Sequence, residues 1–316
     1  MQTRRLGNSD LEITRLGFGA WAIGGGDWAF GWGPQDDADS ITAIREALDL
    51  GVNWIDTAPV YGLGRSEEVV AKALAGVPRR PFVFTKCGRI WDDRREIGKR
   101  LKALSVRAEC EASLRRLQVE RIDLLQIHWP EPDEDLEEGW TECARLQEEG
   151  KVRWIGVSNF SVPQLERARS IAAVTSLQPP YSMLRRDIEA GILPWCAAHG
   201  VGVLAYSPMA SGLLTGGWTH ARHAALPDDD WRKAKNPLFQ EPRFSQGLAV
   251  VETLRGIASA HGTTPGAVAL AWVLAHPAVT AAIVGARRPG QFADLAAAAD
   301  LALTADELAT IGRAVV

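Results

Sequence analysis

Short apolar segments alternate with amphipathic segments along most of the chain. Each apolar segment is bounded by Gly, Pro, Asn or Ser, a pattern that predicts a β-strand. Because these segments are apolar almost throughout, we expect the strands to be buried on both faces of a sheet. Eight strands are predicted in this way, at residues 16–21, 52–58, 82–88, 122–129, 152–159, 176–181, 201–208 and 281–286.

The segments between the strands carry the periodicity and the end signals of helices. Ser66 and the acidic residues after it are typical of a helix start. Gly51, Gly150 and Gly200 each follow a helical pattern and are typical of a helix end. The predicted helices span residues 40–50, 66–75, 106–117, 137–149, 163–172, 188–199 and 265–275.

This alternation predicts an α/β fold with parallel strands. Eight strand–helix units close into a (β/α)8 TIM barrel. The competing doubly wound sheet would carry a G-x-G-x-x-G turn after an early strand, and the sequence has none there. We therefore predict one TIM-barrel domain over residues 1–316.

Three segments depart from eight even units. Residues 2–6 and 11–14 form a predicted N-terminal β-hairpin, which would close the bottom of the barrel. Strands seven and eight are separated by a long loop and an extra helix at residues 246–261. A further helix is predicted at the C-terminus, over residues 292–302. Long structured loops are usually functional, which draws attention to the segment after strand seven.

Composition and charge narrow the class of protein. The 35 basic and 39 acidic residues give a formal net charge of −4, which argues against a nucleic-acid partner. The cysteines have no C-x-x-C spacing, so they predict free thiols instead of a zinc site or disulfides. The N-terminus lacks an apolar signal segment, and the longest apolar run, residues 267–275, is too short to cross a membrane. We expect a cytoplasmic protein with no membrane partner.

Four polar side chains fall where the predicted strands end. Asp56, Lys86 and His128 follow apolar strand residues, and Tyr61 lies in the loop after strand two. In a TIM barrel these positions share the catalytic face. They suit a general acid that protonates a developing alkoxide, with Asp56 holding Lys86 charged. A lysine about 4 Å from the phenol would stabilise its anion by roughly 4 kcal/mol, lowering the pKa of Tyr61 by about three units, and the charge of Asp56 would offset part of this effect.

A second chemistry suits the same lysine. Lys86 at a strand end could form a Schiff base with a carbonyl, as in an aldolase. That alternative leaves the features of the last strand unexplained. There, Gly285, Arg287, Arg288 and Gln291 span a strand end, a turn and a helix start, which is a phosphate-binding arrangement. The two arginines favour a ligand with an extra phosphate, such as NADP.

Several motifs resemble those of the aldo-keto reductase superfamily. The first is Gly51-x-x-x-x-Asp56-Thr57-Ala58-x-x-Tyr61-Gly62 followed by Ser66-Glu67. The others are residues 121–128 (RIDLLQIH), 156–160 (GVSNF) and 177–181 (LQPPY). Residues 19–21 (GAW), 212–216 (GLLTG) and 285–291 (GARRPGQ) are most similar to the bacterial NADPH-dependent general-stress branch. The resemblance covers essentially the whole chain in order.

The resemblance implies a barrel that binds NADPH/NADP+ without a Rossmann domain. It implies a catalytic tetrad of Asp56, Tyr61, Lys86 and His128, with Tyr61 as the proton donor. It implies that Arg287 lies near the 2′-phosphate. The cofactor contacts it implies are Gly19, Ala20, Trp21, Asp56, Ser158, Asn159 and Gln178, then Tyr206, Ser207, Pro208, Met209, Ser211, Gly212 and Leu213, and finally Gly285, Arg287, Gln291 and Asp294.

Two positions depart from the family pattern. Gly217 stands where many members have Lys, and Leu295 stands where many have Asn. We expect somewhat weaker cofactor binding in consequence, with Arg232 compensating from the long loop.

The expected function is reduction of small aldehydes, ketones or sugars by a monomer or weak homo-oligomer that needs no metal. The alternatives are an NAD(P)-dependent sugar or alcohol dehydrogenase and a non-catalytic nicotinamide-binding regulatory subunit. An apolar rim around the substrate is predicted from Trp21, Trp28, Trp32, Trp91 and Trp129.

Overall fold

The computed structural model describes residues 1–228 and 230–315. Eight of its strands form a closed barrel in which all neighbours are parallel. In chain order the strands are β1 (Thr3–Arg5), β2 (Glu12–Thr14), β3 (Leu16–Gly19), β4 (Trp54–Asp56), β5 (Phe82–Cys87), β6 (Arg89–Trp91), β7 (Ile97–Lys99), β8 (Ile122–Ile127), β9 (Val152–Ser158), β10 (Ser176–Gln178), β11 (Gly202–Ala205) and β12 (Ala281–Gly285).

The predicted TIM barrel is confirmed, and all eight predicted strands take part in it as β3, β4, β5 and β8 to β12. The strands end earlier than predicted at their carboxyl ends. Asn159 and Ser207 have φ angles of 64° and 52°, which an extended ladder does not accommodate. The polar residues at these ends therefore turn out of the sheet toward the rim.

Helices follow the strands around the outside of the barrel. They are α1 (Asp37–Asp49), α2 (Arg65–Leu74), α3 (Ala103–Leu117), α4 (Leu136–Glu148), α5 (Val162–Arg169), α6 (Ile192–His199), α7 (His220–Ala224), α8 (Trp231–Lys235), α9 (Arg243–Ala260), α10 (Pro265–Ala275), α11 (Ala293–Ala296) and α12 (Ala305–Ala314). Across residues 1–228 and 230–315, none of them combines the length and apolar character that crossing a bilayer requires.

The N-terminal hairpin, β1 with β2, closes the bottom of the barrel as predicted. Its side chains Leu6, Leu11 and Ile13 are fully buried. They pack in one cluster with barrel residues that include Trp54 and Phe84. The hairpin therefore completes the apolar filling of the barrel from below and leaves the opposite end open.

The predicted helix at residues 292–302 is wrong in extent. The structure has the short α11, a 3-10 turn at Ala297–Ala299, and then a separate helix, α12. The reason is a capping box, in which Thr304 and Glu307 exchange side-chain and backbone hydrogen bonds and begin a new helix. The extra helix after strand seven is confirmed as α9, while the hairpin of β6 and β7 was not predicted.

Gly17 in β3 provides a test of barrel packing. A Cβ atom added there would overlap the ring of Trp54, which is fully buried and donates from Nε1 to the Thr14 carbonyl at 2.9 Å. The ring cannot move aside without breaking that bond. We expect Gly17→Ala to lower the free energy of unfolding by about 2–3 kcal/mol, measured by urea denaturation.

The matched control is Gly256→Ala on the exposed side of α9, where an added Cβ meets no atom within 4 Å. Alanine in a helix interior should raise the free energy of unfolding by about 0.5–1 kcal/mol. Equal stabilities of Gly17→Ala and wild type would contradict the packing described here.

Candidate active site at the carboxyl ends of the strands

A cavity of about 1490 Å³ opens at the carboxyl end of the barrel. Its wall is made of strand ends and of the loops that follow them. Drug-sized ligands occupy pockets of roughly 300–1,000 Å³. The cavity therefore has room for an extended ligand together with a second, small molecule.

An ion pair between Asp56 and Lys86 lies at the base of this cavity. Both side chains are buried, and Lys86 Nζ donates to Asp56 Oδ2 at 2.6 Å and to the Thr57 carbonyl at 2.9 Å. The other carboxylate oxygen accepts from Gln178 Nε2 at 2.7 Å. Burial lowers the pKa of Lys86, and the charge of Asp56 opposes that change. The lysine amine is engaged on the protein side and does not line the cavity.

Tyr61 stands above the ion pair in an aromatic environment. Its ring centroid lies 5.0 Å from Lys86 Nζ, 6.4 Å from the Trp21 ring and 6.2 Å from the Trp28 ring. Removal from water raises the pKa of Tyr61 well above its ordinary value, and the charge of Asp56 raises it further. Tyr61 is therefore a protonated phenol at neutral pH.

This direction is opposite to the expectation from the sequence, in which the charge of Asp56 offsets only part of the effect of Lys86 on the phenol. In the structure the ammonium of Lys86 is bound to Asp56, so the phenol faces a pair with little net charge. Desolvation then dominates, because it disfavours the phenolate. The consequence is an acid that holds its proton until a strong base, such as an alkoxide, develops beside it.

His128 follows β8 and approaches Tyr61 edge-on, with ring centroids 5.7 Å apart. Desolvation lowers the pKa of His128 well below its ordinary value, and the charges of Lys86 and Arg89 lower it further. The imidazole is therefore neutral at neutral pH and keeps one N–H donor. Asn159 Nδ2 donates to the His128 carbonyl at 3.0 Å and joins the ends of β8 and β9.

The predicted carboxamide-binding residues form one hydrogen-bonded row on the cavity wall. Tyr206 donates its hydroxyl proton to Asn159 Oδ1 at 2.9 Å. Asn159 Nδ2 also donates to Ser158 Oγ at 2.9 Å, and Ser158 Oγ donates to the Gln178 carbonyl at 2.8 Å. Burial raises the pKa of Tyr206 to about 12, so its ring is uncharged. The row holds an aromatic face and several amide groups in fixed positions.

A run of left-handed backbone follows Tyr206. Ser207, Ala210, Ser211 and Gly212 have φ angles of 52°, 51°, 56° and 89°. Such conformations turn successive backbone N–H groups toward one side and form concave anion sites. A Cβ on Gly212 would meet only Trp218 Nε1, at 3.8 Å, so this stretch of the wall is open. The segment suits a pyrophosphate, as the sequence predicts.

The far end of the cavity is held by Arg287 and Gln35. Arg287 Nε donates to Gln35 Oε1 at 2.8 Å, and Gln35 Nε2 donates back to the Arg287 carbonyl at 2.7 Å. Gln291 Oε1 accepts from the backbone N–H groups of Arg287 and Arg288 at 2.8 and 3.1 Å. This clasp fixes a cationic turn at the cavity wall, where it suits a phosphate.

Arg232 reaches the cavity from the long loop. It forms a bidentate pair with Asp230, with nitrogen–oxygen distances of 2.9 and 2.6 Å. Its guanidinium carbon lies 4.8 Å from the Trp32 ring centroid and 5.2 Å from that of Trp218. Trp32 Nε1 is buried and has no hydrogen-bond partner among the described residues. It is a donor available to a ligand in the cavity.

The long loop also crosses the cavity mouth. The Trp231 ring meets the Trp21 ring edge-on, with centroids 5.0 Å apart. Lys235 Nζ lies 3.5 Å from the Ala29 carbonyl and 5.4 Å from the Phe30 ring centroid. We call this set of contacts the loop bridge, and it joins the loop after β3 to the loop after β11.

The two departures from the family pattern both lie at the cavity. Arg222, which was not predicted, occupies the space beside Gly217 and donates to its carbonyl at 2.6 Å. Arg222 and Leu295 both line the wall. A cation is therefore present near Gly217 although the family lysine is not, and the predicted weakening of cofactor binding stays a prediction.

Most of the predicted catalytic and cofactor-binding residues line the cavity. They are Gly19, Trp21, Asp56, Tyr61, His128, Ser158, Asn159, Gln178, Tyr206, Ser207, Pro208, Met209, Ser211, Gly212, Arg232, Gly285, Arg287, Gln291 and Asp294. The cavity wall does not include Ala20, Lys86 or Leu213, which are fully buried behind it.

The aromatic rim is only partly as predicted. Trp21, Trp28, Trp32 and Trp129 line the cavity, but Trp91 does not and faces Arg116 instead, at 5.9 Å. Sequence reasoning missed several lining residues because their loops carry no motif. Those missed are Phe30, Gln35, Arg89, Lys99, Glu131, Arg185, Trp218, Arg222 and Trp231.

Comparisons with known proteins all identify the same family. The sequence model described as "Aldo/keto reductase family" matches residues 15–315. The chain is 38% identical to Aldo-keto reductase YhdN from Bacillus subtilis (strain 168), over 92% of this chain and 86% of that protein. It is 33% identical to the NADH-specific methylglyoxal reductase of Escherichia coli (strain K12), over 98% of this chain and 96% of that protein.

A solved structure is similar along almost the whole chain. The glycerol dehydrogenase AKR11B4 from Gluconobacter oxydans superposes with a TM-score of 0.90 and 39% sequence identity. The match covers 99% of this chain and 94% of that one. The barrel, its hairpin and its long loops therefore have a close counterpart of known structure.

The neutral state of His128 predicts a specific pH dependence of stability. The folded-state pKa of His128 is depressed, so below its ordinary value of about 6.5 the unfolded chain takes up a proton that the folded chain does not. Stability is lost as the pH falls through that range. Between pH 7 and pH 5 wild type should lose about 2 kcal/mol more than His128→Gln, measured by urea denaturation at each pH. Parallel curves for the two proteins would show that folding leaves the pKa of His128 unchanged.

Proposed function

The chain belongs to the aldo/keto reductase family, and from this premise we propose that it is an NADPH-dependent carbonyl reductase in which Tyr61 donates the proton. Members of the family are NAD(P)H-dependent oxidoreductases that act on carbonyl and alcohol groups. The observation that carries the proposal is the placement of a protonated Tyr61 and a neutral His128 over the buried Asp56–Lys86 pair.

A nicotinamide cofactor, when bound, would supply a hydride for the carbonyl carbon. The residues of the chain act on the carbonyl oxygen, where negative charge develops. The Tyr61 hydroxyl donates a hydrogen bond to that oxygen and then transfers its proton, because an alkoxide is a stronger base than a phenolate. The neutral His128 offers a second N–H donor to the same oxygen.

The ion pair supports this transfer from below. Loss of the Tyr61 proton leaves a phenolate 5.0 Å, measured from its ring centroid, from the ammonium of Lys86. Asp56 keeps that ammonium charged and in place. Within the pair, the charge of Lys86 favours the product state of proton transfer, while the charge of Asp56 opposes it and keeps Tyr61 protonated in the resting state.

The row of Ser158, Asn159 and Gln178, with the Tyr206 ring, supports placement of a nicotinamide beside this site. The left-handed segment from Ser207 to Gly212 supports placement of the pyrophosphate. The clasp at Arg287 supports placement of the adenosine end and its 2′-phosphate. These are proposals about a dinucleotide lying extended along the cavity.

A Schiff-base mechanism at Lys86 is less well supported. Its amine is fully buried, does not line the cavity, and is bonded to Asp56 and to the Thr57 carbonyl. A carbonyl substrate in the cavity has no path to that nitrogen in this conformation.

We propose one domain over residues 1–316, which the family match over residues 15–315 supports. The cytoplasmic location and the monomeric or weakly oligomeric state stay predictions.

The proton-donor role predicts a loss of turnover without a loss of cofactor. Tyr61→Phe should lower kcat for aldehyde reduction by about 10²–10⁴-fold, the usual contribution of a general acid. The Kd for NADPH should change by less than about threefold, since the ring is retained. Steady-state kinetics and fluorescence quenching of the tryptophans measure the two quantities.

The matched control is Tyr181→Phe. Tyr181 also lines the cavity, but its hydroxyl donates to Glu189 Oε1 at 2.7 Å and points away from the ion pair. Its turnover should stay within about threefold of wild type. Normal turnover in Tyr61→Phe would end the assignment.

The cofactor preference is tested by titrating the protein with NADPH and NADH. We expect NADPH to bind at least tenfold more tightly, a difference of about 1.4 kcal/mol. Arg287→Gln should reduce this ratio toward one by weakening NADPH alone. Equal affinities in wild type would instead favour an NAD-linked enzyme.

A further inference from the structure

An ionic cluster of Arg89, Lys99 and Glu131 lines the cavity on the substrate side of His128. Arg89 and Lys99 lie on the hairpin of β6 and β7, and Glu131 lies in the loop after β8. Arg89 Nη2 donates to Glu131 Oε2 at 2.6 Å, and Lys99 Nζ lies 3.0 Å from the same oxygen. Two cations therefore share one carboxylate, and the cluster carries an excess positive charge.

Arg89 keeps part of its hydrogen-bonding capacity unused. Its side chain is only 12% exposed, and its Nη1 atom is buried without a partner among residues 1–228 and 230–315. Leaving a buried polar group unpaired costs about 1–3 kcal/mol, and more for a charged group. The ion pair with Glu131 alone does not require Arg89 to leave such a group unpaired. Because Arg89 lines the cavity, a rotation of its guanidinium would bring this unused donor within reach of a ligand oxygen.

The backbone holds Arg89 in a fixed position. Glu109 Oε2 accepts from the N–H groups of Gly88 and Arg89 at 2.9 and 3.3 Å. The guanidinium carbon of Arg89 lies 5.8 Å from the ring centroid of Trp129. The Trp129 side chain is partly exposed at the cavity mouth. Arg89 is thus a preorganised cation beside an apolar wall.

The other charges near the substrate do not cancel this cation. Asp56 is neutralised by Lys86. Arg185 also lines the cavity, and its partner Asp187 lies 3.5 Å away and is largely exposed to solvent. The positive charge of Arg89 reaches the reacting site, since it contributes to the depressed pKa of His128. A substrate between these groups meets a positive field.

We propose that Arg89 is a specificity-determining residue that binds a carboxylate on the carbonyl substrate. The enzyme then prefers aldehydes and ketones that carry a carboxylate group over neutral ones of the same size. This inference rests on the proposed carbonyl-reductase function and adds its substrate class. Trp129 packs against the apolar part of such a substrate, while the guanidinium of Arg89 binds its anionic oxygen.

The test compares carboxylates with their neutral amides. Glyoxylate, 4-oxobutanoate, 3-formylbenzoate and 4-formylbenzoate, each with the corresponding primary amide, form a length series with saturating NADPH. In wild type we expect kcat/KM for at least one carboxylate to exceed that of its amide by tenfold or more. The preference should appear in KM and weaken at high ionic strength.

Arg89→Gln should remove that preference by raising KM for the carboxylate about tenfold or more, while kcat/KM for the amide stays within about threefold. Arg94→Gln is the matched control, because Arg94 lies in the exposed turn of the same hairpin and does not line the cavity. It removes the same charge and should leave the ratio unchanged. Glu131→Gln should shift the ratio the other way, in favour of the carboxylate.

Arg89→Lys controls for a folding defect in Arg89→Gln. It retains the positive charge and should keep part of the preference for carboxylates. An equal loss for carboxylate and amide in Arg89→Gln, in a protein with a normal melting temperature, would make Arg89 a structural residue. Turnover of amides as fast as carboxylates in wild type would also overturn the inference and leave the reductase intact. Failure to reduce either class would instead overturn the proposed function.

Discussion

The site depends on one interaction, the buried ion pair between Asp56 and Lys86. A charged group inside a barrel is strongly disfavoured unless it is paired and hydrogen-bonded. Here every polar atom of the pair has a partner, including the Thr57 carbonyl and the amide of Gln178. Because Asp56, Lys86 and Gln178 come from three strands, β4, β5 and β10, the full set of bonds forms only when the barrel has closed.

The same pair determines the protonation states above it. Since Lys86 is bound to Asp56, the phenol of Tyr61 experiences desolvation more than attraction, and it stays protonated. Desolvation and the nearby cations lower the pKa of His128, so its imidazole stays neutral. An acid and a neutral hydrogen-bond donor therefore stand side by side without any group that must first be ionised. The protonation states of Tyr61 and His128 therefore result from burial and ion pairing, not from an unusual residue type.

The sequence was sufficient for the barrel and for the polar residues at the base of the cavity. Strand ends carry their polar residues to one face in any TIM barrel, so Asp56, Tyr61 and His128 could be placed before their contacts were known. The second C-terminal helix had a visible signal, because Thr304 and Glu307 have capping-box spacing. The alanine-rich segment before it has a high helix propensity, which led to the prediction of a helix at residues 292–302 instead.

Other features had no signal in the sequence. Gln35 and Arg287 are 252 positions apart, and Arg89 and Glu131 are 42 positions apart. Their pairing depends on where loops of irregular length meet across the cavity. The direction of the pKa change at Tyr61 depended on how deeply its ring is buried and on how fully Asp56 offsets the charge of Lys86. Sequence patterns locate elements, but they do not rank competing partners for one charge.

The loop bridge, finally, bears on the timing of ligand exchange. It consists of side-chain contacts, such as Trp231 against Trp21, and the part of the loop that the structure describes has no backbone ladder across the mouth. Contacts of this kind break and re-form faster than a strand pair, so the bridge can open for a ligand as long as the cavity without unfolding any element. Loosening the bridge therefore accelerates entry and departure together. The bridge governs residence time, while the walls beneath it govern affinity.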